Sequence, residues 1–299
     1  MNTLLIITAI FLFTMQTLSL KLSKADNLRE RLLVNTGFTF IATIGMSIYG
    51  IINPSVFTIS PQTLWLGILF GLMFTLTIVF YNLAIAIGSL SYTAFYLSAS
   101  MLIPVTVGII GFSEPLKVTT IVAVLLFLVA FYFINTNSDS SKDKVKSTKK
   151  WVIFCILTFL CNGTLAVIQK FHQYEMNATQ SSGLMLMGFA FATCFYGITY
   201  ITLRILDKKQ NKKTVNLELS VLANNKLPIF LLALSSLVGN LLLTYLTGFI
   251  DSSYLFPLVQ GSIIVCITLS SVIFFKEKLS TFGKLGICIG ILAIVIINF

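Results

Sequence analysis

The chain consists largely of long, uninterrupted apolar runs, each long enough to cross a lipid bilayer as a helix. Runs of roughly 18–23 residues match a hydrocarbon core of about 30 Å at a rise of 1.5 Å per residue. The sequence is 57% hydrophobic and only 10% charged, whereas soluble domains carry about 25% charged residues. Because the runs are continuous rather than alternating, helices are favoured over a transmembrane β-barrel. The sequence therefore predicts an all-α integral membrane protein.

Ten such runs can be placed, which predicts ten transmembrane helices. The predicted spans are Leu4–Leu20, Leu32–Ile52, Leu64–Ile87, Ser91–Phe112, Val118–Asn135, Trp151–Gln169, Gly183–Ile205, Leu227–Phe249, Tyr254–Phe275 and Thr281–Phe299. The first run lacks a basic leader and a small-residue cleavage site, so we interpret it as an uncleaved helix. The polar, basic stretch 136–150 divides the spans into five and five.

A repeated segment predicts that the two sets of five are homologous halves. Ser98–Asn135 aligns with Gly261–Asn298 without a gap, and Glu114 then falls on Glu277. Both segments read as an apolar helix, a Phe-x-Glu-x-Leu turn and a second apolar helix. Internal repeats of this kind are common in polytopic membrane folds. The predicted organisation is a first five-helix repeat (1–135), a linker (136–150) and a second repeat (151–299).

The basic residues predict the orientation in the cell membrane. All lysines and arginines except Lys117 and Lys170 fall in or beside the loops after spans one, five, seven and nine. Short loops rich in lysine and arginine stay in the cytoplasm, so these loops are predicted to be cytoplasmic and both termini external. The net charge of +10 follows from this bias. A nucleic-acid partner is not expected, since no basic patch interleaved with aromatic residues occurs.

The first half contains Pro104 followed by Glu114-Pro115-Leu116, and the second contains Phe275-Lys276-Glu277 followed by Gly286 and Gly290. With the two sets of five spans, these motifs resemble those of the drug/metabolite transporter superfamily, EamA type. The resemblance implies a multi-pass exporter or importer of small organic solutes, with a central cavity between the halves. Small members of the superfamily carry a proton-binding glutamate in the first helix. Neither the first nor the sixth span of this chain contains a carboxylate.

Polar side chains within the spans are the candidates for solute binding, because a polar group in lipid must be paired or face a cavity. The candidates are Gln16, Tyr81, Asn82, Asn162, Asn240, Tyr245 and Gln260. Gln16 and Asn162 occupy equivalent regions of the two halves, so we predict a midplane site near Gln16, Asn162 and Gln260, around which the halves rock. The alternatives are interhelical hydrogen bonds, worth about 0.6 kcal/mol each, and tyrosines anchored at the membrane interface.

Four further residues have structural or coupling interpretations. Glu114 and Glu277 each precede a helix, where a carboxylate complements the helix dipole by about 0.3–1 kcal/mol. A role in ion coupling is the alternative. Pro104 and Pro257 are predicted to kink their helices, which would free backbone carbonyls near a solute site. Gly67-x-x-x-Gly71 and Gly286-x-x-x-Gly290 predict close packing inside the chain or, less favoured, in a homodimer.

Enzyme chemistry is not indicated. The single histidine, His172, is predicted to lie in a loop with Glu175, and the five cysteines contain no Cys-x-x-Cys pair, so no metal site or cofactor is expected. No phosphate-binding Gly-rich loop occurs. A secondary transporter is the favoured function, and the alternatives are a membrane scaffold or receptor and, less favoured, a lipid-modifying enzyme.

Overall fold

A computed structural model describes residues 2–25, 27–87, 90–136, 149–208, 215–275 and 281–299, and these residues are helical almost throughout. The helices are α1 (Asn2–Leu22), α2 (Leu28–Ile52), α3 (Pro61–Ile87), α4 (Leu90–Ala99), α5 (Leu102–Gly111), α6 (Val118–Thr136), α7 (Lys149–Glu175), α8 (Ser181–Lys208), α9 (Val215–Asn224), α10 (Lys226–Thr247), α11 (Ser252–Phe275) and α12 (Thr281–Ile297), with a 3-10 helix at Pro54–Phe57. No strand occurs in the described part of the chain.

In the described part of the chain, seven helices are long and apolar enough to cross a membrane by length and composition. They are α1, α2, α3, α7, α8, α10 and α11. The other predicted spans correspond to shorter apolar stretches, Tyr96–Gly111, Val118–Phe133 and Thr281–Ile297. The structure thus contains a helical segment at every predicted span, but the apolar stretches at three of them, of 17 residues or fewer, are shorter than the other seven.

The fourth predicted span is interrupted, and Pro104 explains the position of the break. Proline has no N–H and its ring clashes with the carbonyl four residues earlier, which here belongs to Ser100. α4 ends at Ala99 and α5 begins at Leu102. The Ser100 carbonyl instead accepts from the Ile103 N–H at 3.1 Å. The kink predicted at Pro104 is therefore present as a full break, whereas α11 continues through Pro257 without interruption.

Two loop predictions were wrong. His172 and Glu175 lie in the last turns of α7 rather than in a loop, because the helix continues beyond its apolar run with polar side chains that bond to neighbouring helices. The basic stretch Leu206–Lys226 includes the short helix α9. Glu277 lies outside the described residues.

Two of the basic connections, the one between α1 and α2 and the one before α10, meet at one end of the helix bundle. Between α1 and α2, the Ser23 hydroxyl donates to Asn225 Oδ1 at 3.2 Å, and the Lys24 N–H donates to the same oxygen at 2.7 Å. Asn225 immediately precedes α10. We call this end, where α1 and α3 finish and α2 and α10 start, the basic end, and the opposite one the far end.

The described interior contains two large apolar clusters, and each draws helices from both sequence halves. The first cluster is formed mainly by α2, α3, α8 and the start of α10. The second is formed mainly by α6, α11, α12 and the end of α10, with a contribution from α1. α7 also contributes to both clusters. The core therefore does not divide at the 136–150 linker.

Glycines set the closest helix contacts within the chain. A Cβ on Gly71 would lie 2.7 Å from the Gly188 carbonyl oxygen of α8, and a Cβ on Gly67 would overlap the Met187 side chain. The internal packing predicted for Gly67-x-x-x-Gly71 is therefore confirmed. On α11, a Cβ on Gly261 would overlap the ring of Phe127 from α6, which is fully buried.

The substitution Gly261→Ala tests this contact. Alanine improves helix propensity by about 1 kcal/mol, but the overlap with a buried ring should cost more, so we expect a net loss of about 1–3 kcal/mol. Gly197→Ala is the matched control, because its Cβ would meet only the Thr36 methyl at 4.0 Å. Thermal unfolding in detergent should show a lower melting temperature for Gly261→Ala alone. Equal behaviour of the two variants would contradict the tight α6–α11 contact.

Candidate functional site

A chain of hydrogen bonds connects α1, α10 and α7 inside the bundle. Gln16 Nε2 donates to the Ser236 hydroxyl at 3.3 Å. Asn240, one turn further along α10, donates from Nδ2 to the Ser236 carbonyl at 2.8 Å. Gln169 Nε2 lies 3.4 Å from Asn240 Oδ1 and 2.9 Å from the Thr244 hydroxyl. The predicted site residues Gln16 and Asn240 thus belong to one polar network.

The polar stripe of α10 explains how this network forms. Residues Ser236, Asn240 and Thr244 recur every four positions, which places them on one helix face. All three are buried, and the face meets both α1 and α7. At 1.5 Å per residue the stripe extends about 12 Å along the helix. The structure therefore has a polar path through the apolar interior.

Asn162 stabilises the break between α4 and α5. Its Nδ2 donates to the Ser100 hydroxyl at 2.6 Å and to the Leu97 carbonyl at 3.4 Å. Breaking a helix exposes backbone carbonyls that need donors in lipid. The amide of Asn162 is thus committed to the backbone opposite Pro104, and it does not share the Gln16 network in the structure.

Gln260 differs from the other interior amides. It is half-buried on α11, and no protein hydrogen bond forms to its side chain among the described residues. The neighbouring Gly261 packs closely against the Phe127 ring, since a Cβ there would overlap that ring. Among the predicted site amides, Gln260 is thus the one whose side chain has no hydrogen bond to the described residues.

The remaining candidates lie apart from one another. Asn82 is near the basic end, where its Oδ1 accepts from Arg31 Nη1 at 2.9 Å, and Tyr81 precedes it on α3. Tyr245 is near the far end, and its ring packs against Phe249 with centroids 4.9 Å apart. The seven predicted residues therefore do not converge on a single site.

Glu114 binds the N-terminus of a distant helix. Its Oε1 accepts from the Ser252 N–H at 2.8 Å and its Oε2 from the Ser253 N–H at 2.9 Å, so the carboxylate caps α11. The sequence analysis expected Glu114 to stabilise the helix that follows it, α6. This expectation was wrong, because the carboxylate caps α11 instead. Gly108 permits the approach, because a Cβ there would overlap the Glu114 carboxylate.

A buried ion pair reinforces the cap. Lys170 Nζ from α7 lies 2.9 Å from Glu114 Oε1 and donates to the Ile250 carbonyl at 3.3 Å. Burial raises the pKa of Glu114, but the Lys170 hydrogen bond, the two backbone N–H groups and the lysine charge outweigh it and leave the pKa below its usual value. The carboxylate is therefore ionised at neutral pH, and it ties together the α5–α6 connection, α7 and α11.

His172 is part of a saturated network at the far end. Gln173 Nε2 lies 2.7 Å from Nδ1 of the ring, and the Thr63 hydroxyl lies 3.0 Å from Nε2. Thr63 in turn donates to Gln180 Oε1 at 2.8 Å. If the Gln173 amide donates to Nδ1, this arrangement fits a neutral ring with its proton on Nε2. This histidine joins α3, α7 and the start of α8.

The sequence analysis did not select several residues that organise these networks. Gln169, Ser236 and Lys170 link helices through the interior, and Arg31 holds Asn82. The spacing of Ser236, Asn240 and Thr244 was a usable signal for an inward polar face. No comparable signal pointed to Lys170, because its partner lies 56 positions away on another helix.

Comparisons with known proteins identify the class. The model of the EamA-like transporter family matches residues 149–299, which is half of the chain, and the chain belongs to this family. One solved structure, described only as a crystal structure of a protein, aligns with a TM-score of 0.74 at 15% identity. The alignment covers 99% of this chain and 95% of that one, so the similarity in fold extends over both halves. No curated protein matches the chain.

Removing either charge of the Glu114–Lys170 pair should destabilise the protein, because the other charge stays buried. We expect Glu114→Gln and Lys170→Met each to lower the free energy of unfolding by about 3 kcal/mol, and the double variant to lose less than the sum. Glu175→Gln, an exposed carboxylate at the same end, is the control. Unfolding in detergent measures all four variants, and a Glu114→Gln variant as stable as Glu175→Gln would contradict the cap.

The same carboxylate predicts a pH dependence. Because the pKa of Glu114 is lower in the folded protein than its usual value of 4.5, its contribution is complete above that value and is lost as the pH falls through the lowered pKa. Melting temperatures of wild type and Glu114→Gln should therefore differ at pH 7 and converge in strong acid. A difference that grows with acidification would show that the sign is wrong.

Proposed function

We propose that the chain is a secondary transporter that moves a small organic solute across the cell membrane by alternating access. Membership of the EamA-like transporter family supports transport, and the observation that carries a solute site is Gln260. This interior amide has no hydrogen-bond partner among the described residues. It lies on α11, which packs on α1 and α5. α1 carries the interior amide Gln16, and the break just before α5 is bonded by Asn162.

We propose ten spans in two homologous halves, with the short segments of α4–α5, α6 and α12 completing the count. The helix pairing supports a duplicated plan: α1 packs on α10 as α7 packs on α3, while α2 packs on α8 and α6 on α12. Exchanging the first five spans with the second five converts the α1–α10 pair into the α7–α3 pair, and it leaves the α2–α8 and α6–α12 pairs unchanged. A repeat of five spans reverses orientation between halves, which is common in secondary transporters.

The moving bodies proposed here are the two apolar clusters rather than the two sequence halves. Each cluster combines helices from both halves, so residues 1–135 do not form a body that can rock alone. α7 and α10 contribute to both clusters, and they carry the polar network of Gln169 and Asn240. Relative movement of the clusters would open this polar path to one side at a time.

The proposed orientation places the basic end in the cytoplasm and the far end outside, following the lysine and arginine distribution. In this orientation the Glu114–Lys170 pair holds the external ends of α5, α7 and α11 together. The state described by the structure would then be held closed on the outside. A homodimer stays a prediction.

A solute screen with matched variants tests the site. Thermal shift of the purified protein across amino acids, nucleosides, sugars and organic amines should reveal one class that raises the melting temperature saturably. Gln260→Leu should weaken that response at least tenfold without lowering the melting temperature of the solute-free protein, because no protein hydrogen bond is lost. Gln62→Leu, the same change at an exposed position, should leave the response intact.

Two further variants separate binding from structural roles. Asn240→Leu should lower the melting temperature even without solute, since it breaks the links to Gln169 and Ser236. Flux of the identified solute into vesicles should then fall for Gln260→Leu but not for Gln62→Leu. Unchanged flux and affinity in Gln260→Leu would remove the proposed site. A folded protein with no saturable response would favour a scaffold or receptor.

A further inference from the structure

We infer that the basic end holds a binding site for an anionic group, a carboxylate or a phosphate, between α2 and α3. The site centres on Arg31 and Asn35 of α2. It is separate from the interior amides near Gln260, and it does not depend on whether the protein transports a solute.

The first observation is an excess of hydrogen-bond donors at Arg31. A guanidinium carries five N–H donors and no acceptor. Arg31 uses one donor on Asn82 Oδ1 at 2.9 Å and one on the Ala25 carbonyl at 3.3 Å. Both partners are neutral, and no carboxylate of the described residues forms an ion pair with this half-buried arginine. Among the described residues, three N–H donors of Arg31 therefore have no acceptor and its positive charge has no carboxylate partner.

The second observation is a buried amide one turn deeper. Asn35 lies four residues after Arg31, on the same face of α2, and is only 3% exposed. Its Nδ2 has no hydrogen-bond partner in the part of the chain that the structure describes. Buried donors are almost always satisfied in native proteins, so an unsatisfied one beside an unneutralised cation points to an acceptor from outside the chain.

The proposed acceptor would lie between α2 and α3. These helices contact each other through side chains, Arg31 with Asn82 towards the basic end and Phe38 with Phe74 further in, whose rings lie 6.3 Å apart edge to face. Arg29 adds a second positive charge at the same end, with its guanidinium 5.7 Å from the centre of the Tyr200 ring on α8.

Donor-rich surroundings with net positive charge select an acceptor-rich anion. The planar guanidinium matches the two oxygens of a carboxylate or phosphate, and the Asn35 amide would supply a third donor. The anion could belong to a dissolved solute or to an anionic lipid headgroup at the membrane surface, since basic clusters of this kind attract both. The chemistry is shared, and the source is decided by experiment.

The experiment measures melting temperatures of the purified full-length chain in neutral detergent. One arm titrates inorganic phosphate and succinate against sodium chloride of equal ionic strength, and the other titrates phosphatidylglycerol against phosphatidylcholine. We expect a saturable rise with a free anion or with the anionic lipid. Arg31→Gln should weaken this response at least tenfold. Arg31→Lys keeps the positive charge but loses the planar guanidinium with its paired donors, so it should weaken the response less.

Two variants make the test independent of any folding defect at Arg31. Asn35→Leu removes a donor that has no partner, so it should not lower the melting temperature of the free protein, yet it should weaken the anion response several-fold. Lys24→Gln removes one positive charge from an exposed position in the same connection, and it should keep the response within twofold.

A response to phosphate or succinate assigns a solute anion, and a response only to phosphatidylglycerol assigns a lipid headgroup; both uphold the site. The site is refuted if folded wild type responds to neither, or if Lys24→Gln and Arg31→Gln weaken the response equally, which would mean diffuse surface charge. Gln260→Leu should leave the anion response unchanged, so failure of the proposed transport site and failure of this one are distinguishable.

Discussion

A polar group inside a lipid-embedded bundle must find its partner within the protein or in a cavity, and most of the described interior obeys this constraint through bonds between helices. The α4–α5 break is the clearest case. Pro104 interrupts the helix, and the exposed Leu97 carbonyl is then met by Asn162 from α7. A proline in one half is thus compatible with the membrane because an amide in the other half lies opposite it.

The strongest of these bonds join the two sequence halves. Glu114 of the first half caps α11 of the second, and Lys170 neutralises the carboxylate. Gln16 of α1 reaches Ser236 of α10. Since the apolar clusters also mix the halves, neither half has a complete interior of its own. The packing units of the described chain are therefore formed by helices from both sides of the 136–150 stretch.

The distinction between satisfied and unsatisfied polar groups separates structural residues from candidates for function. Asn162, Asn240 and His172 have protein partners that account for their burial. Gln260 has none among the described residues, and the amide of Asn35 is buried without an acceptor. A buried amide without an acceptor is unfavourable, and this is the reason for proposing an anion at Asn35, while the missing protein partner of Gln260 is the reason for proposing a solute there.

The sequence alone determined the all-helical membrane class, the positions of the apolar helices and the family, because run length and the repeated Phe-x-Glu-x-Leu turn are local features. It also predicted the effect of Pro104, which acts on the carbonyl four residues before it. Tertiary structure alone decided that Glu114 caps α11 rather than α6, that Asn82 is held by Arg31, and that Gln16 and Asn162 serve different networks. Partners of this kind lie on other helices, up to 220 residues away. Residue spacing within one helix contains no information about which neighbouring helix its polar face will meet.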